Sequence, residues 1–330
     1  MKTLLATTGN GLVRATCSIG TAWSVEQHLP NMVVRCLATV PSAHTSVFAG
    51  THGDGVLRSD DGGKSWRSSG LAGQIITALA TSPSAPDTIY AGTKPACLFV
   101  SHDAGAHWAE LGAFRHIPGR RFWWSPAEPP FRAYVQAIAV SPTDAQHLLI
   151  GIEVGAVVQS RDGGRSWAGH CQGALRDCHS LTFHTTNNSW IYEAGGSGAG
   201  VAVSRDAGAT WKQPKAHLDH HYGWAVAADP ARPEVWYASV SPSPWKAHGE
   251  RNAQASIVRS IGGGPWEALR GGLPQPLLAM PYALFTDPAT PGDLYAGLSN
   301  GEVWQGSNYG DQWCQLPVQL GRIARTLIAL

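Results

Sequence analysis

The chain has 330 residues, with 24 basic and 23 acidic side chains, a formal net charge of +1 and 43% hydrophobic content. That balance leaves no electrostatic footprint for nucleic acid or anionic lipid, and no run approaches the roughly 18 apolar residues of a membrane span. The 38 glycines and 22 prolines suit a turn-rich all-β chain.

The N-terminal text MKTLLATTGNGLVRATC is broken at once by Thr, Gly and Asn, and so lacks the apolar core of a secretory signal. The six cysteines are scattered without a C-x-x-C pair. The expected location is therefore a reducing cytoplasm.

From residue 33 onward the same ordered parts recur. An apolar strand ending in a turn comes first, as VVRCLATVPS, IITALATSPS, YVQAIAVSPT, HSLTFHTTN, GWAVAADPA and YALFTDPA. A second strand follows, often closing on Ala-Gly-Thr, as in SVFAGTH and TIYAGTK. A third strand runs into an octet Ser-x-Asp-x-Gly-x-x-Trp. The octet is intact at Ser59–Trp66, Ser101–Trp108, Ser160–Trp167 and Ser204–Trp211. Degenerate copies end at Trp266 and Trp313, and a faint one, SIGTAW, ends at Trp23. Successive tryptophans lie 43, 42, 59, 44, 55 and 47 residues apart, the period of a radial repeat array.

Four short strands per period describe one β-propeller blade. Residues 3–23 supply the second, third and fourth strands of a blade but no first. Ile323–Leu330, IARTLIAL, reads as a first strand with nothing after it. Joining the two ends makes a seventh blade and removes the exposed sheet edges. The expected fold is a seven-bladed β-propeller over 1–330, with the first blade built from 1–30 plus 323–330. Within each octet, Asp is expected to accept backbone N–H groups of its own turn, with Gly at positive φ and Trp packing the turn down.

The octets give the chain a resemblance to the BNR/Asp-box repeat proteins, which include sialidases, xyloglucanases, sortilin-type ectodomains and photosystem II assembly factors. The resemblance covers the whole chain and implies the propeller fold. It does not select an activity, because this fold hosts unrelated functions. The sialidase Arg-Ile-Pro signature is matched only by Arg115-His116-Ile117-Pro118, interrupted and out of place.

Candidate site residues follow from the repeat register. Six positions before each turn proline, or its Thr185 equivalent, stand Arg35, Thr77, Gln136, His179, Trp224 and Tyr282. Arg322 or Arg325 fills that place in the closing strand. The second-strand exits add His52, Lys94 and Glu153, with Asp54 and Glu193 nearby. LDHHYGW adds Asp219, His220, His221 and Tyr222. Two insertions stretch the period, 110–132 and 241–254, the first rich in Trp123, Trp124 and arginine.

Such a set has the parts for proton transfer and anion holding. The expected activity is binding of a small anionic or sugar-like molecule, with lyase or hydrolase chemistry by His179, His52, Glu153, Tyr222 and Tyr282. Arg35, Arg325, Lys94, Gln136, Trp123, Trp124, Trp224 and His221 would bind the substrate. No cofactor is expected. A metal ion held by His52, His179 and His220 or His221 is the alternative. A non-catalytic scaffold gripping a protein through the Trp- and Arg-rich insertion is the competing class. A monomer or weak oligomer is expected.

Overall fold

The computed structural model describes residues 2–18, 22–41, 43–127, 129, 131–250 and 252–330. SIGTAW overlaps 19–21 and lies outside the described residues. Seven antiparallel sheets follow one another along the chain, and the fold is a seven-bladed β-propeller, nearly all β. The strands fall into two compact units, Met1–Cys171 with Ala324–Leu330, and Gln172–Ile323.

The first unit holds four sheets. In the first, Leu327–Ala329 pairs antiparallel with Lys2–Thr7, setting Leu4 opposite Ala329 and Ala6 opposite Leu327. The two ends of the chain are therefore hydrogen-bonded neighbours, although the closing strand spans three residues rather than the eight of IARTLIAL. The second sheet is Val34–Val40, Ala43–Thr51, Val56–Ser59 and Arg67–Ser68. The third is Ile75–Ser82, Ala85–Lys94, Leu98–Ser101 and Ala109–Glu110. The fourth is Val135–Val140, Leu148–Ile152 and Val157–Ser160.

The second unit holds three sheets. The fifth is Cys178–Phe183, Ile191–Gly195 and Val201–Ser204. The sixth is Tyr222–Ala228, Val235–Ser241, Ser256–Ile261 and Glu267–Ala268. The seventh is Pro281–Thr286, Leu294–Leu298, Glu302–Ser307 and Gln312–Gln319. In the fourth and fifth sheets the outer strand shrinks to single bridges, Val158 with His170 and Val203 with Lys212. Gly169 and Pro214 sit just beside those bridges, and neither residue type favours a continuing ladder.

Within each unit the sheets pack face to face through β-branched and aromatic residues. Ile76, Ile89 and Phe48 join the second and third sheets, and Tyr192, Trp236 and Trp266 join the fifth and sixth. Burying one such side chain is worth about 1.5–3 kcal/mol. The small residue in the Ala-Gly-Thr strand ends has a steric cause. A Cβ at Gly50 would stand 2.7 Å from Ile76 Cγ2, and one at Gly92 would stand 2.3 Å from Val135 Cγ1. Glycine there lets the neighbouring sheet close in.

The octets fold alike. Ser59 Oγ donates to Asp61 Oδ1 at 2.8 Å and accepts from the Gly63 N–H at 2.8 Å. Asp61 accepts the Ser65 N–H at 2.9 Å and the Ser65 hydroxyl at 2.6 Å, while Trp66 Nε1 donates to the Gly63 carbonyl. Asp103, Asp162 and Asp206 repeat the same backbone contact. Each aspartate is thereby consumed by its own turn.

Candidate functional site

Every one of the six positions chosen by counting back from the turn lies at a register shift in its inner strand. The breaks fall between Val34 and Cys36, Ile76 and Ala78, and Val135 and Ala137 in the first unit. In the second unit they fall between Cys178 and Ser180, Gly223 and Val226, and Pro281 and Ala283. A bulge inserts an unpaired residue and re-aims its side chain, the device that strands use beside functional sites. Arg35, Thr77 and Gln136, then His179, Trp224 and Tyr282, are the residues so exempted.

In the first unit the bulges gather cations. Arg35 Nε donates to His52 Nδ1 at 3.2 Å. Arg325, delivered by the segment before the closing strand, donates to the Gln136 side-chain oxygen. Its guanidinium lies 5.7 Å from the Tyr134 ring centre, and the Lys94 ammonium lies 5.5 Å from the same ring. Glu153 meets this group through its backbone N–H, donated to the Tyr134 carbonyl. Burial pushes the Cys36 thiol up to about 12, an effect offset in part by the nearby charges of Arg325 and Arg35. Arg35, Arg325, Lys94, Gln136 and His52 are thus brought into one neighbourhood. Thr77 is not available to a ligand: its hydroxyl donates to the Val135 carbonyl at 2.6 Å and ties the third sheet to the fourth.

In the second unit the bulges gather aromatic and titratable rings. Tyr222 Oη lies 2.7 Å from His248 Nε2, and Tyr282 Oη lies 2.7 Å from His248 Nδ1. Trp224 fills the space between them, 4.9 Å from the His248 ring, 5.1 Å from Tyr282 and 4.7 Å from His179. Burial raises the Tyr282 phenol, and the Arg322 charge pulls it back. His248 was not among the sequence candidates. It caps a short helix, Pro244–Ala247, inside the 241–254 insertion, where Ser243 accepts the Lys246 N–H.

His179 Nδ1 lies 2.7 Å from the Gly223 carbonyl, and its Nε2 lies 3.6 Å from Asp177. Behind them Glu193 is fully buried and accepts the Leu175 N–H at 2.9 Å. Burial, with a contribution from the Asp177 charge, pushes the Glu193 carboxyl up to about 8. His221 turns back on its own loop, with Nε2 2.9 Å from the Leu218 carbonyl.

The 110–132 insertion forms two 3-10 turns, Gly112–His116 and Arg120–Phe122, anchored by fully buried Phe114 edge-on to Trp167. It borders an open-sided cavity of about 550 Å³ lined by Arg115, Arg120, Arg121, Arg132 and Trp123, with His116 among the remainder. Trp123 lines this cavity, whereas Trp124 is 52% exposed and Phe122 and Phe131 stand out at 69% and 60%.

No family model and no curated protein matches the chain. Solved structures do. The GH74 xyloglucanase from Xanthomonas campestris is 19% identical with a TM-score of 0.71, covering 97% of this chain and 52% of that one. An ancestral GH74 enzyme is 20% identical with a TM-score of 0.65, covering 85% and 38%. YCF48 bound to D1 peptide is 14% identical with a TM-score of 0.58, covering 86% and 80%. The chain spans about half or less of the two GH74 enzymes it matches. At these identities the likeness is one of fold.

Proposed function

We propose that the protein binds an acidic saccharide, a sugar ring bearing a carboxylate, through Arg35, Arg325, Lys94 and Gln136 of its first unit. The carrying observation is that Arg325 and Lys94 meet at Gln136 and Tyr134, while Arg35, at a ladder break beside Cys36, holds His52 and shares the Cys36 environment with Arg325. Guanidinium groups hold a carboxylate by paired N–H donors, the amide matches a hydroxyl, and a tyrosine face suits a sugar ring. The similarity to a xyloglucanase supports a carbohydrate as the ligand class. The test is calorimetric titration of the intact protein with D-glucuronate, D-galacturonate and D-glucose. Saturable binding of the uronates with glucose silent supports the reading; equal binding of all three, or none, ends it.

A second reading, hydrolase or lyase chemistry, is favoured by the imidazole suspended between two phenols in the second unit. A neutral imidazole has one donor and one acceptor nitrogen, so one tyrosine must donate to it and the other accept. When the receiving phenol gives its own proton to a substrate, it takes the imidazole N–H proton and the other nitrogen takes the proton of the first phenol, which is left ionised; such a relay suits general acid–base catalysis. The scaffold alternative rests on exposed Phe122, Trp124 and Phe131, and on YCF48 being solved with a bound peptide. Retention of an acidic peptide but of no uronate would select it.

A further inference from the structure

The arginine cavity beneath the 110–132 insertion is lined by none of the bulge residues, and its chemistry differs from theirs. Four arginines line one open-sided cavity, and its described lining contains no carboxylate. Two of the four are committed to the protein. Arg115 holds the Glu110 carboxylate through two nitrogens. Arg120 donates to the Ala96 and Phe114 carbonyls and lies 5.5 Å from the Trp123 ring centre. Glu110 offsets one charge, which leaves three. Arg121 and Arg132 are exposed at the rim and extend the same positive surface.

Burial of Arg120 disfavours its charged form, and the adjacent Arg115 charge acts in the same direction. Like charges held this close are stabilised by an anion that bridges them. A single carboxylate neutralises one of the three and offers two acceptor oxygens; a phosphate monoester neutralises two and a sulfate monoester one, and each offers three acceptor oxygens to the forks. The volume lies within the range of small-molecule sites, large enough for a hexose with its ester group. Trp123, held by Arg120 on one side and Phe114 at 6.1 Å, supplies a fixed aromatic wall for the ring.

We infer that this cavity is an anion site for a phosphorylated or sulfated sugar, separate from the uronate site proposed above. The shared chemistry is a tetrahedral oxyanion ester on a ring.

The experiment is isothermal titration of the full chain with glucose 6-phosphate, N-acetylglucosamine 6-sulfate, inorganic phosphate, inorganic sulfate and D-glucuronate, in wild type and in Arg132→Ala, Arg132→Lys and Arg35→Ala. Arg132→Lys keeps the charge while removing the fork, and circular dichroism checks that each variant is folded. The expected result is saturable binding of at least one ester sugar, about tenfold tighter than its free anion. Arg132→Ala should weaken it about tenfold or more, and Arg35→Ala should leave it unchanged. Preference for the phosphate or the sulfate arm identifies the ester. Ester binding lost in Arg35→Ala but kept in Arg132→Ala overturns the cavity assignment, as does glucuronate competing there as an equal or no ester binding at all. Glucuronate binding that depends on Arg35 is the separate signature of the first-unit site, so either reading can fail alone.

Discussion

Tyr222 and Tyr282, on inner strands of adjacent sheets, are held 2.7 Å from opposite nitrogens of one imidazole, that of His248. One exposed ring thereby ties the sixth sheet, the seventh sheet and the 241–254 insertion together. His248→Ala should cost about 1–3 kcal/mol in urea unfolding and speed hydrogen exchange across the described insertion backbone. In double-mutant cycles Tyr222→Phe and Tyr282→Phe should each couple to His248→Ala by about 0.5 kcal/mol or more. Additive effects would mean that the hydrogen bonds carry no energy.

Glu193 makes stability fall with rising pH. Its carboxyl titrates near 8 in the fold and near 4.3 when unfolded, so the folded protein binds this proton more tightly. The destabilisation is absent below about pH 4, grows through the intervening range and is complete above about 8. Glu193→Gln should remove this decline and be more stable than wild type at high pH by at least about 2 kcal/mol. Parallel stability curves for the two proteins between about pH 5 and 9 would show that the group ionises freely.

Asp162 works in the opposite sense. Hydrogen bonds led by the Ser166 hydroxyl hold its carboxyl down to about 2. The stabilisation is full above the unfolded value near 3.9 and is lost as pH falls through the folded one. Asp162→Asn should lower the melting temperature at pH 7, and the gap to wild type should close near pH 2. A gap of constant size down to that pH would remove the charge from the explanation.

Much of this was legible in the sequence because the fold is repetitive. The octets mark the hairpins, the turn prolines mark the strand ends, and counting between them lands on the six bulges. For the closing strand the register left Arg322 or Arg325 open, and Arg325 is the one whose guanidinium donates to Gln136. His248 was not, since the insertion that carries it has no counterpart in other repeats and counting assigns it no place. A Ser-Pro-Trp helix start followed by an exposed histidine was the only local mark. Thr77 shows the converse: the register put it among the ligand candidates, but its hydroxyl is spent joining two sheets. Trp123 and Trp124, adjacent in sequence, part company because the second 3-10 turn ends between a cavity wall and solvent. The outer strands of the fourth and fifth sheets looked complete from their tryptophans, yet each is reduced to a single bridge, His170 with Val158 and Lys212 with Val203.

The most direct test of the uronate site is the calorimetric affinity for D-glucuronate in wild type, Arg35→Ala and Arg325→Ala at fixed ionic strength. Saturable wild-type binding that weakens about tenfold or more in each variant is the predicted result. Undiminished affinity in both variants, with the proteins folded, would contradict it.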